Sequence, residues 1–144
     1  MKIIIHKSPA VTETEITITC STTAGLENII AALGMLDRRL AGRLGDETVF
    51  VEFDEVLRLE SVDGRSFFYT ACETYEYEGS LADMEKATSD TLFTRVSKSA
   101  IVNLRHVKSI KKVPGSRLLA TLDNGEGVTV SRMYMPEIKR RLGI

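Results

Sequence analysis

The feature that most limits the fold is a succession of short β-type runs separated by turn-forming residues. From residue 48 onward the runs occupy 48–53, 56–59, 66–70, 73–77, 107–113, 117–122 and 127–130. Asp63-Gly64 stands between two of them and Asp123-Asn124-Gly125 between the last two. Glycine accepts the positive φ that tight hairpin turns need. Pro114-Gly115-Ser116 separates 107–113 from 118–122. Many short strands at regular spacing predict a mainly β architecture with a few short helices. Ser80 is placed to cap a helix of about two turns reaching Lys86, with Leu81 and Met84 on one face and Asp83 in its first turn. Pro136 and Glu137 open a last helix that Lys139, Arg140 and Arg141 close. Ile138 and Leu142 form its apolar edge, and Gly143 ends it.

The first 45 residues read differently. Residues 2–7 and 15–20 are predicted strands, the second alternating Ile16, Ile18 and Cys20 against Thr17 and Thr19. Leu26, Ile29, Ile30, Leu33, Leu36 and Leu40 then recur at helical spacing. Ser21, Thr22 or Thr23 would cap that helix, and Arg38, Arg39 and Arg43 suit its carboxyl end. The prediction is therefore a small β-β-α extension, residues 1–45, in front of a multi-sheet β domain, residues 46–144. The extension is far too short for a phosphorylation-sensing receiver unit. It either supports dimerisation, with Leu36, Leu40 and Leu44 lining an interface, or closes the core.

The net charge of −1 conceals an asymmetry. Of 19 Lys/Arg, 11 fall in residues 91–144, against only 3 of 20 Asp/Glu. That end carries +8 and residues 1–90 carry −9. Such a basic end points to nucleic acid or another polyanion, or to an internal contact between the two halves. Cys20 and Cys72 have no framework spacing and are expected to be buried, reduced thiols. The chain lacks a signal-peptide pattern and any run of roughly 20 apolar residues, so a cytoplasmic protein without membrane insertion is expected.

Enzymatic readings find no support. His6 and His106 have no Cys, His or carboxylate at ligand spacing, no nucleophile motif accompanies them, and the glycines occur singly. The expectation is no catalytic residue, no cofactor and no metal. Glu73, Glu76 and Glu78 lie on one predicted strand, with Glu76 and Glu78 opposite Tyr75 and Tyr77, and read as a solvated face.

Two blocks add a more specific signal. One is Phe93-Thr94-Arg95-Val96-Ser97-Lys98-Ser99-Ala100-Ile101-Val102-Asn103-Leu104. The other is Val128-Thr129-Val130-Ser131-Arg132-Met133-Tyr134. With the hairpin between them they resemble the LytTR-type DNA-binding domain family of bacterial transcription regulators. Its pattern reads roughly F-x-R-x-H-(K/R)-S-x-x-V-N, a hairpin, then S-R-(R/K)-x-Y, and the likeness covers about residues 48–142. The resemblance implies a sequence-specific regulator, here without a receiver domain, that reads the major groove of duplex DNA through loops of a β scaffold. Position by position, the implied DNA-contacting residues are Arg65 and Ser66 at the turn after Asp63-Gly64, Ser97 and Lys98, and Arg132 and Met133. Two positions depart from the pattern: Ser97 stands where the family often has His, and Met133 where it often has a second basic residue. Ser97 keeps hydrogen-bonding capacity and Met133 suits a thymine methyl, but neither makes a bidentate guanine contact.

The residues support that expectation independently. Arg95, Lys98, Arg105, Lys108, Lys111, Lys112, Arg117 and Arg132 concentrate phosphate-seeking charge in one turn-rich stretch. The structural alternatives are a solvated Lys98 and an Arg132 that neutralises the acidic half. Asn103 is expected to satisfy turn backbone, and Phe93 and Tyr134 to pack in the core. Expected partners are duplex DNA, a second copy in a homodimer on paired sites, and a regulatory partner protein. The competing reading is a protein-interaction module that docks its basic face on an acidic partner without reading DNA.

Overall fold

The computed structural model describes residues 4–23 and 25–144. Among the described residues, helix α1 (Leu26–Leu33) precedes a hairpin of β1 (Arg39–Leu44) and β2 (Glu47–Glu52). Strands β3 (Arg58–Val62), β4 (Arg65–Tyr69) and β5 (Thr74–Tyr77) lead to helix α2 (Leu81–Ala87). Then come β6 (Phe93–Ser97), β7 (Ala100–Asn103), β8 (Val107–Val113), β9 (Arg117–Leu122), β10 (Gly127–Val130) and helix α3 (Met135–Leu142). Seven strands form one antiparallel sheet in the order β2-β1-β5-β4-β3-β7-β6, and three form a second in the order β10-β9-β8. The architecture is mainly β with short helices, as the turn-punctuated runs predict.

Local chemistry accounts for the boundaries. Val62 pairs with Arg65, so Asp63 and Gly64 alone make the β3–β4 turn, both at positive φ (51° and 77°). That is the primed-turn geometry that fits strand twist. At α2, Ser80 Oγ accepts from the Asp83 N–H (3.1 Å) while Asp83 Oδ2 accepts from the Ser80 N–H (2.8 Å), a reciprocal capping box. Gly143 ends α3 in the left-handed region.

The large sheet is buried on both faces where β7 and β6 run. Ile101 faces a core with Phe68, Met84 and Phe93, while Val102 faces a second core with Val96, Leu118 and Ile138. Successive residues of a strand point to opposite faces, so a doubly covered strand shows no alternation. That is why β6 and β7, absent from the predicted runs, carry no period-2 signature.

The amino-terminal prediction needs correction. Residues 4–7 and 15–20 form no strand, and Lys2 and Ile3 lie outside the described residues. Ile4, Ile5 and Ile16 are exposed, and alternation without a neighbouring edge makes no ladder. Helix α1 stops at Leu33, not Leu40. A Cβ at Gly34 would overlap the Asp90 carbonyl oxygen, and Asp37 turns the chain at φ 54°. Arg39 and Arg43 therefore lie on β1, which inserts between β2 and β5. Leu40 is buried in the core, whereas Leu36 is 60% exposed. Gly25 occupies the α1 N-cap without a side-chain bond, in place of Ser21, Thr22 or Thr23. Both cysteines are exposed, Cys20 on the unpacked segment and Cys72 in the β4–β5 turn. The residue 45/46 boundary falls on the β1–β2 turn.

Candidate nucleic-acid interface

The β6–β7 turn is Lys98-Ser99, with Ser97 closing β6. Arg95 folds over it: Nε donates to the Ser97 carbonyl (2.7 Å) and a terminal nitrogen donates to the Lys98 carbonyl (2.6 Å). The Ser99 N–H donates to Ser97 Oγ (3.2 Å). These bonds satisfy the turn's backbone and leave the Lys98 side chain exposed. Arg95 thus supports the turn and does not offer its charge outward. The β6–β7 register shifts between Arg95 and Ser97, a bulge that no spacing in the sequence signals.

The end of β10 lies beside the end of β6. The Ser131 N–H donates to the Val96 carbonyl (2.9 Å), so Ser97-Lys98 and Arg132-Met133 leave from adjoining points. Arg132 Nε donates to the Gly115 carbonyl (2.9 Å), which brings in the β8–β9 turn. That bond answers the question of Arg132's partner: a backbone oxygen, with no acidic side chain within ion-pair distance among the described residues. Met133 is 71% exposed. A cleft of about 390 Å³ between the sheets, lined by Arg58, Ser97, Ser99, Glu126 and Thr129, adjoins this point.

The β3–β4 turn shares the same sheet end, because the Ser61 N–H donates to the Ser99 carbonyl (2.8 Å). Arg65 makes a fork on Glu76, Nε to Oε1 at 3.0 Å and a terminal nitrogen to Oε2 at 2.7 Å. Arg43 adds a third bond to the same carboxylate at 2.7 Å. Bonds from Arg65 and then Arg43 lower the Glu76 carboxyl to about 2. Arg65 is exposed but already engaged. Ser66 is buried, 4% exposed, because alternation turns it inward with Phe68. The structure therefore gathers Ser97, Lys98, Arg132 and Met133, sets Arg65 at the same sheet end, and withdraws Ser66 from the surface.

The remaining cations divide into two groups. Arg105 pairs with Asp54 (2.5 Å), and Arg58 with Glu60 and Glu126 (both 2.9 Å). Lys98, Lys108, Lys111, Lys112 and Arg117 are exposed with no ion-pair partner among the described residues. Asn103 is fully buried. Its Nδ2 donates to the Val56 carbonyl (2.8 Å) and its Oδ1 accepts from the Arg105 N–H (3.1 Å), a structural role. Phe93 packs edge-on against Phe53 at 5.5 Å between ring centres. His106 lies between Asp123 Oδ2 (2.7 Å) and the Asp54 carbonyl (2.5 Å). Among the described residues no group of three His, Cys, Asp or Glu is arranged to hold a metal ion, and no helix is long and apolar enough to cross a membrane.

These features define a class: a two-sheet β scaffold that presents unpaired cations on adjoining loops. The LytTr DNA-binding domain model matches residues 46–143. The chain belongs to that family. It is 31% identical over 106 residues to the sensory transduction protein LytT of Bacillus anthracis, covering 74% of this chain and 43% of the relative. It is 24% identical over 108 residues to the transcriptional regulatory protein LytR of Staphylococcus aureus, covering 75% and 44%. The chain thus spans less than half the length of these relatives. A solved LytTr DNA-binding domain from Bacillus cereus superposes with a TM-score of 0.70 at 30% identity, covering 75% of this chain and 99% of that one.

Proposed function

We propose that this chain is a cytoplasmic transcription regulator that binds duplex DNA, with the β6–β7 turn and the loop after β10 entering the major groove. The observation that carries this is the Ser131–Val96 backbone bond, which sets Lys98 and Arg132 on adjoining loops with no carboxylate partner among the described residues. Lys98 and Arg132 supply donors for guanine, Met133 supplies an apolar contact for a thymine methyl, and Ser97 supplies a hydroxyl. Arg117 on the neighbouring hairpin supplies a phosphate contact that fixes register without reading sequence. Arg65 reaches DNA only by exchanging Glu76 for a phosphate or base. The chain acts by binding and not by catalysis, and two copies occupy paired half-sites about one helical turn apart. A regulatory partner protein acts on this binding step.

Selection from a random duplex pool, followed by anisotropy titration at several salt concentrations, tests the proposal. A recovered sequence motif is expected, with log affinity falling against log salt by about 0.9 for each phosphate neutralised. No motif together with capture of an acidic protein partner would favour the docking-module reading instead.

A further inference from the structure

Among the described residues two strand edges have no partner strand, and they carry opposite charge. Strand β2 is the outer strand of the large sheet and β8 the outer strand of the small one. The other two outer strands, β6 and β10, lie side by side, joined where Ser131 bonds to Val96. Along β2, Glu47, Thr48, Phe50 and Glu52 are exposed, Phe50 by 63%. Along β8, Lys108, Ser109, Lys111 and Lys112 are exposed, with Ile110 half-buried among them. Neither Glu47, Glu52 nor any of these lysines has an ion-pair partner among the described residues. The two edges are of similar length, six and seven residues.

An open edge offers a row of backbone donors and acceptors to another chain, and charged side chains decide which chain is admitted. Like charges placed opposite one another repel, so β2 against β2 and β8 against β8 are both disfavoured, while β2 against β8 is favoured. We propose that β2 of one copy docks along β8 of the next, a head-to-tail contact between identical chains. Phe50 packs on the aliphatic stems of the facing lysines, and Glu47 and Glu52 pair with their ammonium groups. Such a contact is heterologous and repeats from copy to copy, closing into a ring or extending as a filament. It rests on the paired-copy part of the reading above and names the surface that joins the copies, without requiring DNA.

Sedimentation velocity of the full chain across a concentration series, without DNA, tests it. The wild type is expected to gain mass with concentration and to lose that gain as salt is added. E47K/E52K and K111E/K112E each replace an attractive edge pair with a repulsive one. Each should associate roughly tenfold or more weakly. An equimolar mixture of the two should recover association, since each supplies the edge the other has lost, and that recovery also shows both to be folded. A wild type that stays monomeric throughout, or an E47K/E52K variant that associates like the wild type, overturns the proposal. Duplex titration of the same samples separates the two ideas. A wild type that binds DNA but never self-associates defeats only the edge contact. One that self-associates but ignores DNA defeats only the DNA reading.

Discussion

At the scale of single residues, the cations of the basic end have unequal duties. Arg95 is tied to the carbonyls of Ser97 and Lys98, whereas among the described residues Arg132 engages Gly115 through Nε and leaves its two terminal nitrogens available. Lys98→Ala and Arg132→Ala are therefore each expected to weaken specific DNA binding more than random-duplex binding, by about 1–3 kcal/mol of discrimination. Anisotropy on both duplexes reads this, and equal losses on the two would make the residue a phosphate contact. Glu76 supplies a pH signature. Its carboxyl is lowered from an ordinary 4.5 to about 2 by Arg65 first and Arg43 second. A group lowered by folding favours the folded state while ionised. Its contribution is complete above about 4.5 and fades as pH falls towards 2. Melting temperatures measured through that interval should fall for the wild type, and Glu76→Gln should flatten part of the fall. An identical acid limb in the variant would show that the three-way cluster does not bear on stability.

At the scale of elements, β1 is the piece on which the large sheet depends. It sits between β2 and β5, and Gly42 at its middle lies against the stacked rings of Phe68 and Tyr75. A Cβ there would overlap the Phe68 ring and the Tyr75 Cβ, so the ring pair can stack only over a residue without a side chain. Gly42→Ala is expected to cost about 1–3 kcal/mol through overpacking. Urea denaturation should show a lower midpoint at unchanged slope. An unchanged midpoint would mean that the ring pair shifts freely. Helix α1 packs by a different device. Ala31 and Met35 are buried, and Arg38 ties the following turn to the Ala87 carbonyl at 2.6 Å.

At the scale of the whole molecule, charge and topology run together. The sheet order places the acidic strand β2 at one limit of the large sheet and β6 at the other, where the small sheet with its lysines is attached. Two truncations probe how the amino-terminal part belongs to this body. Removing residues 1–22 should leave the melting temperature nearly unchanged, because residues 4–23 are exposed throughout. Removing residues 1–45 takes away β1 and the buried Leu40, separates β2 from β5, and should abolish the cooperative transition. Calorimetry of the two fragments checks both outcomes. A cooperative 46–144 fragment would show that β2 and β5 close the sheet without β1.

The sequence by itself determined what is local. Asp63-Gly64 specifies its turn because few residues accept positive φ there, Ser80 and Asp83 specify their helix start, and Gly143 specifies a helix end. It also set Lys98 and Arg132 in a family pattern, from which the neighbouring Ser97 and Met133 depart. The tertiary structure decided what depends on distant partners. Alternation at residues 15–20 is as regular as in any strand of the sheets, yet no edge among the described residues meets it. Leucines 36 and 40 share one periodic pattern but divide between solvent and core, because the chain turns at Asp37 to join a sheet completed by much later strands. β6 and β7 lack alternation because each face meets a different core. Ser66 is buried and Arg65 is engaged because β5 brings Tyr77 and Glu76 beside them. Turn and cap chemistry lies within a few residues, whereas pairing, burial and ion-pair choice are set by whichever strand arrives from elsewhere in the chain.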